Sequence, residues 1–177
     1  MKGPELRLAE MRTGDYILSR RFLSFLGNYA VTDAAGATVM RFVGQFRIAL
    51  RFDAQDAQGR VLFRGQGRLI DARNGVTFTR NGQPYGSMLA EWDGGVRRDG
   101  PQAGGYIVTG DAGDTLQTRG DCAIAWSLLR DDVEVASVER RGRRWGIRLL
   151  DGTRGEFTLT VVMAIVHQTR GDERSLE

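Results

Sequence analysis

Short runs of alternating apolar and polar residues recur along this chain, separated by clusters of Asp, Asn and Gly. The clearest is Arg47-Ile48-Ala49-Leu50-Arg51-Phe52-Asp53, which sends Ile48, Leu50 and Phe52 to one face and Arg47, Arg51 and Asp53 to water. Val76 and Phe78 share a face in the same way, and Val133 to Glu139 repeats the pattern less cleanly. β-branched and aromatic residues dominate these windows and helical spacing is poor, so they read as strands. Six turn signals punctuate them: Asp33-Ala34-Ala35-Gly36, Asp56-Ala57-Gln58-Gly59, Arg80-Asn81-Gly82, Asp111-Ala112-Gly113-Asp114, Arg130-Asp131-Asp132 and Asp151-Gly152. Six hairpins predict twelve strands. A sheet that wide does not stay open, and its closed form has a lumen too large for the wall side chains alone to fill.

The tail from Glu156 to His167 contains the apolar run Leu159 to Val166. Its β-branched content favours a strand, but it follows the expected twelfth strand and is apolar on every side, as a fully buried helix is. A helix about 10–12 Å across would plug the lumen and satisfy its own backbone polar groups. The sequence therefore predicts an all-β, closed twelve-stranded antiparallel barrel around a central C-terminal helix at about 159–170. Thr158 or Thr160 is the expected cap at its start, and Arg170 and Gly171 suit its end. Residues 1–14 read as a lead-in, 15–170 as one barrel domain and 171–177 as a polar tail. The Gly-rich stretch from Asp93 to Gly105 reads as a long loop between the first three hairpins and the last three. Tyr29-Ala30-Val31-Thr32-Asp33 resembles Tyr106-Ile107-Val108-Thr109-Gly110-Asp111, a short sign of duplication.

Composition adds limits. The net charge is +3 and acids are interspersed with bases, which suits a mixed surface better than a nucleic-acid stripe. Cys122 is the only cysteine, so neither an intrachain disulfide nor a cysteine zinc site can form. No apolar stretch approaches the ~20 residues of a membrane span. Met1 to Arg7 carries charge where a secretory leader needs an apolar core, so a cytoplasmic protein is expected, with peripheral contact at the inner membrane surface.

The stretch from Arg21-Phe22-Leu23 through Gly27-Asn28-Tyr29-Ala30-Val31-Thr32-Asp33-Ala34-Ala35-Gly36 resembles the opening of the LURP-one-related family, in which a basic-aromatic stretch leads into a Tyr-x-Val-x-Asp-x-x-Gly hairpin. Val39 to Phe46 is similar to the next strand of that pattern, and Thr160 to Val166 to its terminal helix. The likeness spans most of residues 15–168 and lies in the order of strands and turns. The family belongs with tubby C-terminal domains and phospholipid scramblases. The resemblance implies a twelve-stranded barrel around a central helix, and it admits phosphoinositide binding through basic residues. The palmitoylated cysteines and acidic calcium loop of the scramblases have no counterpart here.

Arg140, Arg141, Arg143, Arg144 and Trp145 form the densest basic-aromatic cluster and are the candidate site for an anionic ligand, with Trp145 at headgroup level. The plainer reading is a solvated strand connection with Trp145 turned into the barrel wall. Arg20-Arg21-Phe22 is a shorter cluster of the same kind. His167, the only histidine, reads as a packed residue at a helix end, and Cys122 as a small buried one. The Asp111/Asp114 and Asp131/Asp132 pairs fit turns better than a calcium loop. Gly44 and the Gly65-Gln66-Gly67 segment suit barrel bends or bulges, since no phosphate-loop pattern surrounds them. No catalytic residue, metal site or cofactor is expected. The expected function is a non-enzymatic module for an anionic phospholipid or membrane surface. The alternative is a scaffold for a protein partner, which would need an exposed apolar patch.

Overall fold

The computed structural model describes residues 11–20, 28–45, 51–67, 75–91, 105–111 and 113–173, the last four by backbone only. Twelve strands precede one helix: β1 (Gly14–Arg20), β2 (Tyr29–Asp33), β3 (Thr38–Gln45), β4 (Arg51–Asp56), β5 (Val61–Gly67), β6 (Val76–Arg80), β7 (Gln83–Glu91), β8 (Gly105–Gly110), β9 (Thr115–Asp121), β10 (Ala125–Arg130), β11 (Val133–Arg141), β12 (Arg144–Leu149) and α1 (Gly155–Glu173). Each strand pairs antiparallel with its neighbour in sequence, and β12 pairs with β1 to close the barrel. The predicted architecture is thus the observed one. Ile48, Leu50 and the Gly-rich segment up to Gly104 lie outside the described residues.

Five of the six turns join hairpins as their chemistry requires. Asp33 and Asp56 build the same frame: each carboxylate accepts backbone N–H groups two and four residues on, from Ala35 and Ala37 and from Gln58 and Arg60. Gly36 and Gly59, at φ 82° and 84°, take the left-handed corner. Asn81-Gly82 and Asp131-Asp132 both have positive φ, the mark of a tight two-residue connection. The sixth signal is a correction. Asp151-Gly152 leads from β12 into the helix: Asp151 accepts from the Thr153 N–H, and the Gly152 carbonyl accepts from Gly155 N–H. Two short hairpin turns carry no such signal: Cys122 to Ile124 between β9 and β10, and Gly142-Arg143 between β11 and β12, with Gly142 at φ 62° in the leading position.

Alternation along the strands fills the lumen. Inward positions Gly44, Phe52, Gly65, Phe78 and Gly86 are cross-strand neighbours on β3 to β7, so glycine and phenylalanine alternate around that part of the wall. A Cβ at Gly65 would lie inside the Phe52 ring. This glycine makes room for an aromatic, a role the expected bend does not describe. The uneven pattern at Val133–Glu139 is a bulge: Leu128 pairs Ala136 and Leu129 pairs Glu134, leaving Val135 extra, so Val135 and Ala136 are both buried. Asp53 faces outward but is covered, taking a bond from Gln45 and an ion pair from Arg64.

The helix threads this lumen. Every residue from Phe157 to Val166 is buried, and Phe157 packs against Phe63, Phe78 and Tyr85 with ring centroids 4.9–5.4 Å away. It starts at Gly155, four residues before the expected 159, so neither Thr158 nor Thr160 caps it. Thr160 instead donates back to the Glu156 carbonyl inside the helix. The helix also continues past Gly171 to Glu173.

Candidate anion-binding face

The two ends of the barrel differ. At the end where the helix enters, Arg154 donates to Asp114 at 2.7 Å and Arg130 to Asp151 at 2.7 Å, with Arg130 also 3.8 Å from Asp114. Burial pushes the Asp151 carboxyl up, but bonds from Thr153 and the Arg130 guanidinium outweigh it and hold the group below its ordinary value. This network ties the helix entry to β8–β9 and β10–β11, and no sequence motif marks it. Among the described residues no group of three or more His, Cys, Asp or Glu converges.

The opposite end, where the helix C-terminal half emerges beside Tyr29 and Phe42, carries the predicted cluster. His167 lies there within the helix, its ring 5.4 Å from Phe42 and 5.9 Å from Tyr29, packed as expected. Arg140, Arg141, Arg143 and Arg144 are all exposed on the β11–β12 hairpin. Arg140 Nε donates to the Gly142 carbonyl at 3.3 Å, and its backbone N–H donates to the Ile124 carbonyl at 2.8 Å. Arg141 lies across Gly146 and donates to Glu139 at 3.2–3.3 Å. Trp145 departs from the group. It falls on the inward face of β12 and is 2% exposed, so it cannot sit at headgroup level; it anchors the hairpin from inside.

Closure of the barrel adds a residue that the sequence kept apart. Ser19 pairs with Arg144 across β1 and β12, which brings the exposed Arg20 beside the hairpin. Arg21 and Phe22 lie outside the described residues. Further along β12 the charge is neutralised, because Arg148 donates to Asp15 at 2.9 Å. Cys122, in the adjoining β9–β10 turn, is buried and its thiol is pushed up to about 11 by burial, so it stays protonated at neutral pH.

With this geometry in view, comparison with known proteins yields a likeness of fold. An X-ray structure of a protein from Arabidopsis thaliana superposes with a TM-score of 0.55 over 91% of this chain and 94% of that one, at 11% identity. At that identity the likeness establishes a shared fold alone. No protein-family model matches the chain, and no curated protein matches it. Among the described residues, no helix is long and apolar enough to cross a membrane.

Proposed function

We propose that this barrel is a non-enzymatic binding module of the LURP-one-related, tubby-like kind that engages anionic phospholipid headgroups at a membrane surface. The observation that carries the reading is the set of four exposed arginines on one tight hairpin, with Arg20 brought alongside by the β1–β12 pairing. Guanidinium groups present forked donors that match phosphate oxygens, and their field attracts an anionic surface from a distance. One observation supports the reading over a protein-docking scaffold. The large apolar side chains exposed among the described residues, Ile17, Val61, Ile124, Val133 and Leu150, are spread over both ends and the outer wall, without a common patch.

The test is co-sedimentation with vesicles of phosphatidylcholine containing phosphatidylserine or a phosphoinositide. The chain should bind these and ignore pure phosphatidylcholine. Binding should fade as salt shortens the screening length from about 10 Å at 0.1 M to about 3 Å at 1 M. Each arginine near such a surface contributes about 1 kcal/mol, and Arg141 already shares its charge with Glu139. Replacing Arg140, Arg141, Arg143 and Arg144 with Ser should therefore weaken binding by about two orders of magnitude. Unchanged binding would remove the assignment.

A further inference from the structure

The β9–β10 turn stands directly beside the arginine hairpin and is built to hold one apolar side chain out in water. Asp121 Oδ1 accepts the Ala123 N–H at 2.8 Å, and the Asp121 carbonyl accepts the Ile124 N–H at 3.0 Å. Below it, Cys122 points inward and is buried. From the side, the Arg140 N–H bonds the Ile124 carbonyl at 2.8 Å. These contacts fix the turn, and Ile124 at its top is left 62% exposed.

We infer that Ile124 is the apolar half of an amphipathic footprint: it enters the acyl boundary of an anionic bilayer while the neighbouring arginines hold the headgroups. This rests on the reading of the arginines above and deepens it, because it selects a lipid surface over a soluble phosphate. A free anion would satisfy the guanidinium groups but would leave an exposed isoleucine in water at no gain. A bilayer offers both a charged layer and an apolar layer within a few ångströms, and the bonded pair of turns presents both chemistries side by side. The turn is already fixed in the free protein, so little ordering entropy opposes insertion.

The test uses the full chain with phosphatidylserine-containing vesicles and three variants. Ile124→Ser should weaken vesicle binding about tenfold while leaving the melting temperature unchanged. Val133→Ser removes an equally exposed side chain, 66% in water, from the far end of the barrel, and should have no effect on binding. Ile124→Trp should bind at least as well as the parent. Its emission should shift to the blue on binding and be quenched by lipids brominated in the acyl chains; the parent, with its own Trp92, Trp126 and Trp145, supplies the background to be subtracted. Full affinity in Ile124→Ser, or Ile124→Trp emission unmoved on bound vesicles, overturns the inference and leaves the arginine reading intact. An equal loss in Val133→Ser also overturns it. If the parent chain ignores the acidic vesicles, the arginine reading falls first and the inference with it.

Discussion

Glycine 65 shows how tightly single positions are constrained. Its inward face is occupied by the Phe52 ring, which is stacked on Phe42 at 4.1 Å and meets Phe78 edge-on at 6.3 Å. With Phe42 and Phe78 against it, the ring can yield only by disturbing its neighbours, so even one methyl overpacks the wall. Gly65→Ala should cost about 1–3 kcal/mol, read as a lower urea midpoint with an unchanged slope. A shift within error would mean that β4 and β5 can separate locally. The sequence displayed this glycine but not its purpose, because strand register decides which residue stands opposite which. Trp145 teaches the same lesson in reverse. Its basic neighbours suggested a surface role, whereas alternation along β12 places it inside.

The helix carries its own electrostatic signature at the level of the element. Glu156 sits half-buried in its first turn, where burial pushes its carboxyl above the ordinary 4.5, the fields of Arg80 and Arg60 pull it down, and Asp56 adds to the rise. A carboxyl raised in the folded state binds protons there more tightly than in the unfolded chain. Its charged form therefore opposes folding above the folded pKa, and that penalty disappears as pH falls below 4.5. Glu156→Gln should melt higher than the parent at neutral pH and equally below pH 4.5. A lower melting temperature at neutral pH would mean that the helix dipole and Arg80 outweigh burial. The helix boundaries were poorly legible for a related reason. Thr, Val and Ile weaken helical propensity, and the true start is set by a left-handed Arg154 at φ 58° and by the ion pairs around Asp114, none of which a capping pattern reveals.

For the whole molecule, wall and plug depend on each other. The helix buries ten consecutive side chains, Phe157 to Val166, and these complete the core of the strands around it. Deleting them would empty the lumen and strip Phe63, Phe78 and Tyr85 of the Phe157 ring they pack against. A chain ended at Arg154 should lose cooperative unfolding and bind a hydrophobic dye; a sharp transition in that fragment would show that the wall stands alone. Barrel closure also gathers the proposed lipid face, because it sets Arg20 beside Arg144 across 124 positions of sequence.

Local chemistry was enough to specify much of this. Asp, Asn and Gly at five turns, together with period-two alternation between them, lead to hairpins because the backbone angles and side-chain bonds involved lie within a few residues. The arginine hairpin was equally visible as a cluster. The tail was legible as a helix from the strands counted before it, and two outcomes needed the folded chain: Asp151-Gly152 as a junction, and the inward one of the two faces open to Trp145. The same Asp side-chain bonding serves a hairpin or a strand-to-helix corner, so composition cannot separate them. The tail became a helix because β1 takes the last free edge of β12, and a segment inside a closed ring must bond its own backbone.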